Sequence, residues 1–212
     1  MKSAILLAAG ESRRFGSNKM LYKVLDEELG EDLMVRVAAR KFLSSSVFDE
    51  VVVVVGYEYG KVVEALADLD VKFVFNPDFT LGMSTSVIAG VRRVLKHSEL
   101  VAIHPSDVPF VKTETLRYLA TSVSSLCSGD CIVIPRYRSK GGHPLIILGN
   151  VVREVLEISE RERGLKGLIS KNRELVRYLE VDDPGVVFDI DTPEDLQRAV
   201  LPVSSNFTRG SA

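Results

Sequence analysis

The chain has 212 residues, 46% hydrophobic and 26% charged, and 27 basic against 29 acidic side chains leave a net charge of −2. That length suits one large domain or two small ones and can bury a full core without staples. The balanced charge excludes a basic field for nucleic acid or for an anionic membrane.

Two cysteines, Cys127 and Cys131, stand in a C-x₃-C spacing, which argues against a disulfide framework and against a four-cysteine zinc site. The apolar start, residues 3–9, is cut short by Gly10-Glu11-Ser12-Arg13-Arg14, unlike a signal peptide. No apolar run approaches the ~18 residues of a membrane span. The expectation is a cytoplasmic protein in a reducing compartment.

Residues 4–8 predict a buried strand, and 33–42 a helix with Leu33, Val37 and Ala38 on one face. Five valines at 51–55 predict a strand buried on both sides. A helix is expected over 59–69, with Val62, Val63, Leu66 and Ala67 inward, and then a strand over 71–75 closed by Asn76-Pro77-Asp78. A helix over 85–95 and a strand over 100–103 follow. Further on, strands are expected at 131–134, ending at Pro135, and at 144–148, opened by Pro144. Residues 153–158 and 164–170 look helical, 175–181 and 186–190 read as strands, and 193–200 is a final helix. The stretch 201–212 is polar, lacks periodicity and reads as a frayed tail. Strand–helix alternation without a linker or repeat predicts one α/β domain over 1–200, its mostly parallel sheet covered by helices on both faces. Ligands of such sheets bind beyond the carboxyl ends of the strands.

The first such place is the loop Leu7-Ala8-Ala9-Gly10-Glu11-Ser12-Arg13-Arg14-Phe15-Gly16-Ser17-Asn18-Lys19. Small residues let a ligand approach the backbone, free amides make an anion nest, and Arg14 and Lys19 add positive charge. The alternative is a solvent-exposed basic turn. Neither the G-x-G-x-x-G fingerprint nor a Walker A loop is present. The loop resembles the L-A-A-G-x-S-x-R-x-G-x-x-K signature of the MobA/MocA-like nucleotidyltransferases, and within them the molybdenum cofactor cytidylyltransferases. The resemblance implies a three-layer Rossmann-like nucleotidyltransferase fold. It also implies a nucleotide site at Leu7, Ala8, Ala9, Gly10, Ser12, Arg14 and Lys19, with Arg14, Lys19 and Asp107 catalytic.

Four later motifs extend the resemblance. In Asn76-Pro77-Asp78-Phe79-Thr80-Leu81-Gly82-Met83-Ser84-Thr85-Ser86, Ser84 or Thr85 can cap the next helix. The resemblance places Ser84 and Ser86 near the nucleotide. In His104-Pro105-Ser106-Asp107-Val108-Pro109, Asp107 follows an apolar strand, where a carboxylate can hold Mg²⁺ or form an Asx-turn. It has no evident lysine partner nearby in sequence. Ser106 stands where the family carries glycine, which suits serine only at negative φ or with strain. Lys140-Gly141-Gly142-His143-Pro144 sets a histidine in a shaped loop; the resemblance puts Gly142, His143 and Pro144 on the acceptor side. His97 and His104 receive no role.

In Asp189-Ile190-Asp191-Thr192-Pro193-Glu194-Asp195, Thr192 can be an N-cap with Pro193 at the first helical position. Asp189 and Asp191 point to one face of an extended chain. Asp191, or else Asp189, is expected to join Asp107 around the metal.

The implied reaction moves CMP from CTP to the phosphate of a molybdopterin-type acceptor, with Mg²⁺ as cofactor and a molybdoenzyme as a further partner. Ala8-Ala9-Gly10 resembles the CTP-using branch, an alanine for glycine narrowing the base slot. A GTP-dependent or sugar-phosphate enzyme is the alternative within this chemistry, and a non-catalytic nucleotide-binding or cofactor-insertion protein the alternative outside it. Where the family carries a G-K-P-L-like acceptor loop, residues 26–34 are acidic. Such a stretch repels a phosphorylated acceptor unless it faces solvent.

Overall fold

The computed structural model describes residues 1–200; the expected tail at 201–212 lies outside the described residues. In chain order the strands and helices are β1 (Lys2–Ala8), β2 (Lys23–Asp26), β3 (Gly30–Leu33), α1 (Met34–Ser45), β4 (Glu50–Val55), α2 (Tyr59–Ala65), β5 (Lys72–Phe75), α3 (Met83–Val94), β6 (Leu100–Pro105), α4 (Thr113–Leu126), β7 (Cys131–Tyr137), β8 (Lys140–Gly141), β9 (Leu145–Leu148), α5 (Val151–Glu154), α6 (Gly164–Lys171), β10 (Val176–Glu180) and α7 (Pro193–Val200). Eight strands form one sheet in the order β10-β7-β9-β6-β1-β4-β5, with β8 paired to β7. Pairings of β1 with β4 and β6, of β4 with β5 and of β7 with β10 are parallel; β9 runs antiparallel between β6 and β7.

Two-residue periodicity separates two cores. Along β1, Ala4, Leu6 and Ala8 face the core under α1, α2 and α4, while Ile5, Leu7 and then Ala9 face the core under α3, α5 and α6. The five valines of β4 divide the same way, which makes three layers and explains a strand apolar throughout. Gly90 lets α3 approach the sheet, since a Cβ there would lie 2.5 Å from Ile5 Cγ2.

Several elements differ from expectation. The hairpin β2–β3 and helix α4 were not predicted, although Leu116, Leu119, Ala120 and Val123 of α4 are buried at helical spacing. Helix α2 ends at Ala65, and Ala67 is exposed. Strand β7 runs through Pro135 to Tyr137, because the ladder with β9 has already ended at Val133 and needs no N–H from proline. The stretch 186–190 is no strand. Asp183 caps a 3₁₀ turn over Pro184–Val187, which docks Val186 and Ile190 into the core without sheet pairing. Cys127 ends α4 and Cys131 opens β7, their Cα atoms 5.9 Å apart and their sulfurs bonded, so the cysteines form a single local disulfide. No helix among the described residues is long and apolar enough to cross a membrane.

At the opposite end of the sheet from the glycine-rich loop, Glu50 accepts hydrogen bonds from Ser3 Oγ at 2.6 Å and Lys72 Nζ at 2.7 Å and pairs with His97 Nε2 at 2.5 Å. Burial pushes this carboxyl up, but the hydrogen bonds from Lys72, Ser3 and His97 outweigh it and hold the pKa at about 2, below the ordinary 4.5. The stabilisation is therefore complete above the ordinary value and is lost as pH falls through about 2. Glu50→Gln is expected to cost about 2–3 kcal/mol at pH 7 and to flatten the stability profile across that acid window. Urea unfolding at pH 7 and pH 3 checks this; a variant that keeps the wild-type acid slope contradicts it.

Candidate active site

The loop after β1 folds back on itself. Ser12 and Gly16 take positive φ angles of 53° and 70° around a 3₁₀ turn at Arg13–Phe15. Ser12 Oγ then accepts the Lys19 N–H at 3.1 Å, and Asn18 Oδ1 accepts the Met20 N–H at 3.1 Å. The loop thereby returns Lys19 to the end of the sheet. Gly10 is exposed and leaves the space above it open, with nothing within 4 Å of where a Cβ would sit. The methyl groups of Ala8 and Ala9 belong to the two cores, so they do not narrow a slot above the loop.

Lys19 is the hub. Its Nζ lies 2.8 Å from Asp107 Oδ2 and 3.1 Å from Asp191 Oδ1, and it donates to the Ile190 carbonyl at 2.8 Å. Its three donors are thus used, and its side chain is only 11% exposed. Asp107 therefore does have a lysine partner, 88 positions away in sequence (107 − 19). Asp107 projects past β6 from a turn in which Ser106, fully buried, donates its N–H to Leu7 O at 3.0 Å. Ser106 is not among the residues of positive φ, so serine fits without strain. Asp191 arrives because the Ile190 N–H bonds the Asp107 carbonyl at 2.8 Å. Behind it Thr192 and Asp195 cap α7 reciprocally, Asp195 Oδ2 accepting the Thr192 N–H at 2.9 Å and Thr192 Oγ1 accepting the Asp195 N–H at 3.2 Å. Arg14 Nη1 reaches Asp191 Oδ2 at 3.2 Å from a largely exposed position.

Two clefts meet at this hub, sharing Arg14, Met83, Pro105, Asp107 and Asp191. The smaller, about 470 Å³, is lined by Leu7, Ala8, Ala9, Gly10, Ser12 and Lys19 from the loop and by Ser86 from α3. The larger, about 1250 Å³, is lined by Ser84, Gly142, His143 and Asp189 among others. Of the expected pair, Ser86 faces the smaller cleft, where its Oγ accepts from Asn76 Nδ2 at 2.9 Å, while Ser84 faces the larger. Neither Ser84 nor Thr85 caps α3, whose N-cap is Gly82. Asp191 borders both clefts and Asp189 only the larger. Pro144 is buried and lines neither, although its peptide bond with His143 is cis.

Gly142 allows the close approach that positions His143. A Cβ on Gly142 would fall 2.2 Å from Val186 O, the atom that accepts the His143 N–H at 2.8 Å. Burial pushes the His143 imidazole down, with Asp107 and Asp189 pulling the other way. Burial likewise pushes His104 to about 3, and the two rings stand 6.3 Å apart, so both are neutral at pH 7. His104 Nε2 pairs with Val108 O at 2.9 Å, which makes this histidine part of the floor of the Asp107 turn.

The acidic stretch is accounted for without the clefts, since residues 26–32 line neither. Asp26 and Glu28 bind the buried Lys41 at 2.9 and 3.0 Å, Glu31 pairs with Lys23, and Asp32 with Arg36 and Arg40. The larger cleft instead gains Arg136, Lys140, Arg163 and Lys166, of which only Lys140 stood in a sequence motif, and there without a role of its own. Arg163 and Lys166 lie in the mixed-charge stretch 160–166, whose alternating Glu and Arg residues give no net basic signal in the sequence.

Two carboxylates that already share one cation, in reach of open clefts, are a donor set suited to a hard divalent ion that keeps waters and phosphate oxygens as further ligands.

Residues 4–177 match the family described as MobA-like NTP transferase domain. The chain is 26% identical to the molybdenum cofactor cytidylyltransferase of Escherichia coli over 193 residues, 90% of this chain and 91% of that protein. It is 28% identical to the bifunctional protein GlmU of Caldicellulosiruptor saccharolyticus over 168 residues, 76% of this chain but 35% of that longer protein. A nucleotidyl transferase from Methanothermobacter superposes with a TM-score of 0.78 at 24% identity, covering 94% of this chain and 96% of its own.

Proposed function

Because the chain belongs to the MobA-like NTP transferase family, whose members are nucleotidyltransferases, we propose that it moves CMP from CTP to the phosphate of a molybdopterin-type cofactor and releases pyrophosphate. An oxygen of the acceptor phosphate bonds to the α-phosphorus as the bond to the bridging oxygen breaks, and pyrophosphate leaves with that electron pair. The acceptor phosphate is already a nucleophile, so no covalent intermediate on the protein is needed. The observation that carries this reading is Lys19 Nζ held between Asp107 and Asp191 at the seam of two clefts. The smaller cleft takes the nucleotide and the larger the acceptor, so both substrates meet at the fixed charges.

The open amides around Gly10 with Arg14 and Lys19 stabilise charge that develops on the triphosphate. Asp107 and Asp191 are the residues that would hold Mg²⁺, with Asp189 outside the set because it borders only the acceptor side. When bound, the ion neutralises and aligns phosphate oxygens. His143, neutral and set by Gly142 and Val186, orients the acceptor.

The choice of CTP is supported by the Ala8-Ala9-Gly10 loop and by the cytidylyltransferase relative that this chain covers end to end more fully than it covers GlmU. With the alanine methyls buried, discrimination falls to backbone groups reading the base edge. CTP is expected to exceed GTP in kcat/KM by about tenfold or more, the scale of one hydrogen bond to the base edge. Pyrophosphate release with each NTP against molybdopterin and sugar-phosphate acceptors tests the assignment. Equal CTP and GTP values remove the nucleotide choice, and no release with any pair removes the reaction.

A further inference from the structure

The larger cleft contains more free positive charge than one reacting phosphate requires. Arg163 and Lys166 line it on the segment that enters α6, and neither has an ion-pair partner among the described residues. The facing wall is the N-terminus of α3, whose first amides receive no side chain from their own cap. Glu160 reaches across from 76 positions away and accepts the Ser84 N–H at 2.6 Å. Gly82 admits it, since a Cβ there would lie 2.4 Å from Glu160 Cγ. Beside that amide Ser84 Oγ is buried and has no hydrogen-bond partner, 2.9 Å from where a Cβ on Gly164 would be. Glu160 itself has no cation among the described residues, so the helix amide alone draws its carboxylate there. An unpaired buried hydroxyl is costly unless a ligand uses it.

We infer that the α3 N-terminus, Ser84 Oγ, Arg163 and Lys166 form a second anion site in the larger cleft, and that Glu160 covers its helix amide as a placeholder until a ligand displaces it. The site takes an oxyanion of phosphate class, because a group with three or more oxygens can use the amide, the hydroxyl and both cations, where a carboxylate offers two. This rests on the larger cleft being the acceptor side. The acceptor then carries two separate anionic groups, one that reacts at Asp107 and Lys19 and one that anchors here. Ser84 passes from the nucleotide to the acceptor.

Inorganic phosphate is the probe, titrated into the full chain while backbone amides are followed by NMR. Shifts at the Ser84 and Gly164 amides are expected, distinct from those at Gly10 and Lys19, where phosphate can also bind. Glu160→Gln and Glu160→Ala should each tighten binding at Ser84 about fivefold, and Lys166→Gln should weaken it about fivefold. No shift at Ser84 in wild type or either Glu160 variant, or weaker binding in both Glu160 variants, overturns the inference. CTP titration followed at the Gly10 amide separates the two readings: a failure there removes the transferase assignment while the Ser84 result stands on its own.

Discussion

Lys19→Ala is expected to lower kcat/KM for the nucleotide by about 10²–10³-fold, the scale of losing a preorganised electrostatic group. The effect is larger than a missing positive charge. Lys19 is the only described group that touches Asp107, Asp191 and the Ile190 carbonyl together. Without it Asp107 loses the one cation that pairs with it among the described residues, and Asp191 keeps only the exposed Arg14. The same substitution should tighten Mn²⁺ or Mg²⁺ binding, because the ammonium no longer competes for those oxygens. Steady-state kinetics on both substrates together with metal calorimetry check both signs. An effect confined to the acceptor KM moves Lys19 to the other half of the site, and weaker metal binding removes the competition argument.

Asp107→Ala is expected to reduce transfer by about 10²-fold or more while the fold survives. Survival follows from which atoms do the packing. The contact that docks the following segment is the Asp107 carbonyl with the Ile190 N–H at 2.8 Å, and alanine keeps that carbonyl. Lys19 keeps Asp191 and the Ile190 carbonyl as acceptors. Turnover measured across an Mg²⁺ titration, beside a thermal melt, decides. Near wild-type turnover in a folded variant at saturating Mg²⁺ would rule out the carboxylate as a metal ligand.

Legibility in the sequence tracked locality. The valine run of β4 and the apolar β1 announced buried strands, and the Thr192-Pro193 start of α7 announced its cap, because the cause of each lies within a few residues. Helix α4 gives a weak local signal because Thr113, Thr115, Thr121, Ser122, Ser124 and Ser125, of low helical preference, surround its buried Leu116, Leu119 and Val123. Residues 186–190 looked like a strand because Val186, Val187, Phe188 and Ile190 make a short run rich in β-branched and aromatic residues, and the capping turn at Asp183-Pro184-Gly185 decided otherwise. At the site, the glycine-rich loop and Asp107 were visible one motif at a time. Asp191 was expected beside Asp107, but the ion pairs of Lys19 with both carboxylates were not, since they join three loops far apart in sequence. The separation of Ser84 from Ser86 was hidden because the expected helix began at Thr85, whereas α3 begins at Met83 and puts both serines on a helix, where residues two apart point in different directions.

The stretch from Asp183 to Asp191 ties together parts of the molecule that otherwise share only the sheet. Asp183 Oδ2 accepts from the Lys112 N–H, Val186 O from the His143 N–H, and the Ile190 N–H reaches Asp107. Every strand of the sheet precedes this stretch. During synthesis the scaffold can therefore assemble before the reactive centre exists, and the centre closes only when Asp191 has emerged. A nascent or clipped chain ending before Asp183 would lack the buried Val186 and Ile190 and would leave Asp107 as the one carboxylate of the pair beside Lys19.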